Sequence, residues 1–413
     1  MVTFLGLGAG LGVLYRHTQI TDFPVDMLIY RDGVRSFLSG EELYSVPMQA
    51  GDLLLPFIYP PFGALVLVPL TVFDWINGYH AGVIMITVSA LLILLCLHLV
   101  WRALLRGVET RTVDMITAVT WPLVLLLEPV WLNASFGQVN VVIMALVVLD
   151  LVPRRRRLPQ GWLIGVAAAI KISPLALLLF FLLRKDFRAI ITAAVSAVMM
   201  TLIAAAVRWD ATIEYFSTVL LGMGTQVEFG VNTAYQSNSS LKGMVMRWFV
   251  SDEALDAGGT ALNGIWLLLV ALTIGLGGWL MVALMRRGLH IDAWLVNALI
   301  MLLISPVSWS HHWVWVAMLV PVMLWRWATV LGRPTFLGGV LGVWLFLMLT
   351  EPPKWWFGDA IAVHTLAIWQ KFLVSDYVWL ALLVMVALAL RLRHIPVPEK
   401  AAEAQSAQAP ATA

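Results

Sequence analysis

The sequence predicts an all-α protein that crosses a membrane roughly ten to thirteen times. Three observations predict it. Of 413 residues, 61% are hydrophobic and 12% are charged, against about 25% charged in a soluble domain. Apolar runs approaching the roughly 20 residues that span a bilayer recur from end to end. Basic residues gather in short clusters between those runs, which is the signature of cytoplasmic loops. The runs are continuous, whereas a membrane β-barrel alternates over segments of about ten residues. A nucleic-acid surface is the rival reading of the basic clusters, but short basic loops between spans are ordinary topology signals, so no nucleic-acid partner is expected. Cys96 is the single cysteine; no intramolecular disulfide is possible, and its apolar setting reads as an inert core thiol.

The first apolar run covers 2–14. It has no basic leader and no small-residue cleavage site after it, so a retained span is expected rather than a signal peptide. Residues 18–55 are polar and should face outward. Their middle, 27–43, mixes apolar residues with Arg31, Arg35, Glu41 and Glu42, as a helix lying in the interface does. Apolar runs at 58–73 and 81–100 lead to the basic cluster Arg102, Arg106 and Arg111. Two full crossings there break the positive-inside rule; either 58–73 is a partial, re-entrant helix or the rule fails locally.

Spans at 112–127 and 139–152 enclose an outer loop at 128–140. Arg154, Arg155, Arg156 and Arg157 on one side, and Arg184, Lys185 and Arg188 on the other, then flank 160–183. An even number of crossings must fit into about 24 residues, which one full helix cannot supply. Two half-helices broken at Lys171-Ile172-Ser173-Pro174 can, and such backbone is tolerated at membrane depth only in a protein interior or along a cavity. Spans follow at 190–206, 267–284, 293–305, 315–325 and 337–349, with outer loops at 208–263 and 351–376, and a last span reaches 390. Arg286 with Arg287, Arg326 with Arg333, and Arg391 with Arg393 mark the inner side. Residues 1–394 read as a single transmembrane domain, and the Ala, Glu, Gln and Pro of 395–413 as a disordered cytoplasmic tail. No internal repeat stands out.

Polar residues concentrate on the outer face: Asp22, Asp26 and Asp32; Asn133, Gln138 and Asn140; Asn232, Gln236 and Asn238; His311 and His312; and Lys354. Trp131, Trp309, Trp313, Trp355 and Trp356 are interleaved with them. An aromatic belt explains any one Trp. Amides, carboxylates, His and Trp together are also what a sugar site uses, since amides and carboxylates bind hydroxyls and indoles pack on a pyranose face. Asp26 reads either as a general base, which needs reach and a suitable pKa, or as a helix cap; spacing does not choose among Asp22, Asp26 and Asp32. Lys171 in the helix break is either a phosphate site or a snorkelling cation. Adjacent His311 and His312 diverge and have no carboxylate or thiol at ligand spacing, so a hydrogen bond to phosphate or hydroxyl is expected and no metal.

Five segments, in this order, resemble glycosyltransferase family 87. They are Asp26-Met27-Leu28-Ile29-Tyr30 with Leu43-Tyr44 and Tyr59-Pro60-Pro61-Phe62; Phe136-Gly137-Gln138-Val139-Asn140; Ala169-Ile170-Lys171-Ile172-Ser173-Pro174; Asn238-Ser239-Ser240-Leu241; and Ser305-Pro306-Val307-Ser308-Trp309-Ser310-His311-His312. The resemblance implies a C-type glycosyltransferase fold in the plasma membrane, with its active site on the periplasmic side. It implies a polyprenyl-phosphate mannose donor and a glycolipid acceptor of the phosphatidylinositol mannoside or lipomannan type, joined through an α-1,2 linkage as in the actinobacterial members. No cofactor is implied. Asp26 matches the family's catalytic acid, with Asp22 as second choice. Lys171, His311 and His312 are the implied donor-phosphate ligands, and Tyr30, Tyr59, Gln138, Asn140, Asn238 and Trp309 the implied sugar and acceptor contacts. Transfer would be one in-line displacement with inversion. The rival readings are an arabinose or glucose donor on the same fold, and a non-enzymatic lipid-sugar flippase or transporter.

Overall fold

The computed structural model describes residues 1–20, 24–153, 156–223, 230–333, 335–395 and 397. Asp22, Arg154, Arg155 and nearly all of the tail lie outside them. Helices dominate. Three are long and apolar enough to cross a membrane singly: Gly78–Leu104, Phe187–Val207 and Gly259–Met285. Two bent pairs, Thr110–Leu125 with Glu128–Ser135 (68°) and Ile368–Val374 with Asp376–Leu392 (71°), raise the number to as many as five. The apolar helices Pro61–Leu70, Asn140–Leu151, Ser173–Leu183, His290–Ile304 and Thr335–Leu349 are shorter than the roughly 20 residues needed to span alone. Full-length single spans are thus fewer than the apolar runs suggested, because proline and extended residues interrupt those runs.

Small residues let these helices approach closely, as packing between apolar helices in lipid requires. The Val2–Ile20 helix lies on Thr110–Leu125, where a Cβ at Gly6 would come within 2.5 Å of the Ala118 carbonyl oxygen. Trp162–Ile170 lies on Phe187–Val207, where a Cβ at Gly165 would meet the Ala193 carbonyl oxygen at 2.2 Å and the Ser196 hydroxyl donates to the Trp162 carbonyl at 2.7 Å. Trp121, Trp294, Trp313 and Trp344 are fully buried, and Cys96 is buried as expected.

The interfacial helix is Val25–Ser39. It stops short of residue 43 because Gly40 turns left-handed, with φ 86°. Its last carbonyls are met by a distant side chain: the Arg208 guanidinium donates to the carbonyls of Ser36 (3.0 Å), Phe37 (3.1 Å) and Glu41 (3.1 Å). The loop after it carries a short antiparallel hairpin, Met48–Ala50 with Leu53–Leu55, that the all-α reading did not foresee. Pro61–Leu70 has ten residues, about 15 Å of helix, or half the hydrocarbon thickness; it takes the partial-helix alternative.

The break in 160–183 falls at Lys171, whose backbone is extended (φ −150°, ψ 130°) between Trp162–Ile170 and the 3₁₀ turn Ser173–Leu177. Its exposed backbone groups find side-chain partners. Asn297 donates to the Ala176 carbonyl and accepts from the Phe180 N–H, both at 3.0 Å. At the other end, the Asp150 carboxylate accepts from the N–H groups of Gly161 (2.8 Å), Leu163 (2.9 Å) and Ile164 (3.1 Å). Irregular backbone in an apolar surround needs such partners.

Candidate active site

Asp26 stands in the first turn of Val25–Ser39, one residue inside a helix whose N-cap is Pro24. No side-chain cap is made there, so the capping reading of Asp26 is not realised. The turn is pinned instead: the Met27 N–H donates to the Phe136 carbonyl at 3.2 Å. Gly137 follows in left-handed backbone (φ 66°), with space so tight that a Cβ would lie 2.9 Å from the Met27 Cβ. This contact brings Gln138 onto Asp26. The Gln138 Nε2 donates to the Asp26 carboxylate at 2.6 Å.

Gln138 is a hub. Its Oε1 accepts from the Tyr59 hydroxyl (3.2 Å) and the Asn140 Nδ2 (3.2 Å) and lies 2.8 Å from the Tyr30 hydroxyl, whose proton is shared with the Tyr59 oxygen at 2.7 Å. Asn140 carries the chain onward: its Oδ1 accepts from the Lys171 Nζ at 2.8 Å. Lys171 lies 3.1 Å from the His312 Nε2, 3.5 Å from the Tyr59 hydroxyl and 5.3 Å from the centre of the Tyr59 ring. A carboxylate and an ammonium far apart in the sequence are thereby linked through two amides.

Both charges face one cavity of about 1160 Å³, lined also by Tyr235, Trp309, His311 and Trp355. This exceeds the roughly 300–1,000 Å³ of most small-molecule sites. Asp26 lies deep but opens partly onto this space. Burial raises its carboxyl to about 6, against the opposing pull of the Gln138 hydrogen bond and the Lys171 charge. Burial, and then the Lys171 charge, hold both His311 and His312 well below the usual imidazole range, so both rings are neutral. The His311 ring packs edge-on against Phe136 (5.2 Å) and His312 (4.8 Å), and neither of its nitrogens has a hydrogen-bond partner among the described residues. Buried polar atoms are normally satisfied; these two are covered as well as unpartnered, although the residue itself lines the cavity.

Tyr30, Tyr59, Gln138, Asn140, Lys171, Trp309, His311 and His312 are therefore brought together with Asp26. Asn238 is not on the cavity wall. Its side chain is fully buried, donating to the Thr233 carbonyl (2.8 Å) and accepting from the Ser308 N–H (2.9 Å), so it ties the 238–240 segment to the 306–309 turn. Asp32 pairs with Arg35 at 2.8 Å, away from the cavity. Trp313 is core, packed on Trp344 and Tyr377, while Trp131 and Trp356 are exposed. Lys354 is buried on Asp376 at 3.1 Å.

A model described as glycosyltransferase family 87 matches residues 57–306. The chain belongs to that family. The match contains Tyr59, Gln138, Asn140 and Lys171; Asp26 precedes it, and Trp309, His311 and His312 follow it. Among relatives, the chain is 32% identical over 404 residues to the polyprenol-phosphate-mannose-dependent α-(1-2)-phosphatidylinositol mannoside mannosyltransferase of Mycobacterium tuberculosis, covering 92% of this chain and 88% of that one. It is 30% identical over 366 residues to the corresponding pentamannoside mannosyltransferase of Mycolicibacterium smegmatis, covering 83% of each. ArnT from Cupriavidus metallidurans, solved with undecaprenyl phosphate, aligns over 97% of this chain and 79% of its own at 16% identity, with a TM-score of 0.38, too loose a likeness to argue from.

For this family 87 member, sequence reasoning missed Tyr235 on the cavity wall and the supports Arg208 and Asn297. A polar residue within an apolar run marks Asn297 and a cation at the end of a span marks Arg208. Tyr235 carries no such mark.

Proposed function

We propose that this glycosyltransferase moves mannose from polyprenyl-phosphate mannose to a mannosylated phosphatidylinositol acceptor, forming an α-1,2 linkage on the periplasmic face. The observation that carries the reading is the pairing of Asp26 and Lys171 on one cavity through Gln138 and Asn140. The activities of the mycobacterial relatives support the donor and acceptor class. The periplasmic assignment follows from the site's place on loops opposite the basic clusters.

In this reading Asp26 is the general base. It removes the proton from an acceptor hydroxyl, whose oxygen forms a new bond to the anomeric carbon as the bond to the lipid phosphate breaks, with inversion. A carboxyl near 6 is ionised at neutral pH and retains basicity for that transfer. The departing phosphate gathers charge beside Lys171. His312, neutral and accepting from Lys171 at Nε2, keeps its other nitrogen as a donor. With His311 it completes a preorganised set of donors for that charge. Tyr30, Tyr59, Gln138 and Asn140 fix the base and line the sugar's position, and Trp309 offers an indole face.

The test incubates purified enzyme with labelled polyprenyl-phosphate mannose and phosphatidylinositol mannosides, comparing wild type with Asp26→Asn. Elongated lipid from wild type alone is expected. Equal product from both would remove Asp26 as the base. Product from neither, with transfer restored by an arabinose or glucose donor, would overturn the choice of sugar.

A further inference from the structure

Away from the residues that the reaction uses, the chain buries a second group of polar and charged side chains. Lys354 and Tyr377 are fully buried, and Asp376 and Glu128 are nearly so. The Lys354 ammonium has three N–H donors and three partners: the Ser239 hydroxyl at 3.0 Å, the Ser310 hydroxyl at 3.0 Å and the Asp376 carboxylate at 3.1 Å. Its charge sits 3.2 Å from the centre of the Tyr377 ring. Tyr377 donates in turn to Glu128 at 2.6 Å, and Trp355 donates to the same carboxylate at 2.8 Å.

These partners belong to the segments that carry the site. Ser310 directly precedes His311 and His312. Ser239 donates its N–H to the Ser308 carbonyl at 2.8 Å, beside the bridge between Asn238 and Trp309. Glu128 opens the helix Glu128–Ser135, which leads into Gln138. The His311 ring, with no hydrogen-bond partner among the described residues, is aimed only by the backbone that carries it and by its aromatic neighbours. What holds Ser310 therefore aims His311.

Burying an ion pair is poor value for stability, since well-packed apolar residues of similar volume usually serve as well or better. A pair whose two remaining donors are directed at the site-bearing segments, through Ser239 and Ser310, serves geometry instead. We infer that Lys354 and Asp376 are positioning residues that hold the His311–His312 turn in register with Lys171. The inference rests on the proposed role of that turn at the donor phosphate.

The experiment uses the full-length enzyme in detergent and four proteins: wild type, Lys354→Met, the apolar pair Lys354→Met with Asp376→Leu, and His311→Ala. Lys354→Met alone leaves a buried carboxylate unpaired and is expected to be poorly folded. The double variant removes both charges. It should melt within about 5 °C of wild type while kcat falls about tenfold or more and the KM for donor changes less than about threefold, the pattern of an interaction made in the transition state. A double variant that is folded and within twofold of the wild-type kcat overturns the inference, provided His311→Ala is impaired. A double variant that loses melting temperature and activity together also overturns it, in favour of a purely structural pair. An unimpaired His311→Ala overturns the underlying phosphate role instead.

Discussion

Replacing Gln138 with Leu tests the acid–base reading most directly, because one side chain holds Asp26 in its ionised form. The change removes the 2.6 Å hydrogen bond to the carboxylate and keeps the site filled. Most neighbouring groups keep a partner. Tyr30 keeps Tyr59 at 2.7 Å, Asn140 keeps Asn133 at 3.3 Å and the His311 carbonyl at 3.2 Å, and the Tyr59 hydroxyl loses its acceptor. A hydrogen bond to a charged group contributes about 1.5–3 kcal/mol, and about 1.4 kcal/mol corresponds to one pH unit. The Asp26 carboxyl, already raised to about 6 by burial, should therefore rise by roughly one to two pH units more. The base acts when deprotonated, so the acidic limb of the rate profile moves upward with it. At pH 7 the ionised fraction drops from roughly nine-tenths to between a half and a tenth, and kcat/KM falls roughly two- to tenfold. The assay is the ratio of variant to wild-type kcat/KM for mannosyl transfer from pH 5 to 9, which should return toward one at the alkaline end. A limb that stays near 6 or shifts downward in a folded variant, or a ratio that stays low at pH 9, refutes the assignment of Asp26 as a base tuned by Gln138.

Gly137→Ala should cost about 1–3 kcal/mol from its left-handed backbone alone and push Met27 away from the 2.9 Å contact, so kcat should drop while membrane insertion persists; unchanged kinetics would show that this turn does not set Asp26. Asn297→Leu should destabilise the protein by about 1–3 kcal/mol, because the Ala176 carbonyl and Phe180 N–H lose their side-chain partner; thermal unfolding in detergent reads this out, and an unshifted midpoint would contradict it. Arg208→Met should release the carbonyl end of Val25–Ser39, visible as faster amide exchange across that helix with lowered kcat/KM, whereas unchanged exchange would mean that Gly40 alone terminates it.

Much of this protein was legible one residue at a time. Composition alone set a helical membrane protein, since lipid offers the backbone no partners and apolar runs must satisfy themselves as helices. Charge clusters flanking 160–183 required a break, and Lys171 sits in it because Pro174 and the extended Lys171 backbone leave the helix no continuation. The motif residues Asp26, Gln138, Lys171 and His312 were nameable from the resemblance of five ordered segments to family 87. Other features depended on contacts between segments far apart in sequence, which no local pattern encodes. Spacing could not separate Asp26 as a cap from Asp26 as a base; in the structure no side-chain cap is made there, and the docking of Met27 on Phe136 presents Gln138 to the carboxylate. Asn238 looked like a sugar ligand, but in the structure its amide is engaged by the Thr233 carbonyl at one end and the Ser308 N–H at the other. Lys354 shared its face with the site residues in sequence, yet its helix-end partner Asp376 drew it into the interior. A side chain's chemistry is written in the sequence, but whether its polar atoms are spent on the protein or left open to a substrate is settled only when distant segments meet.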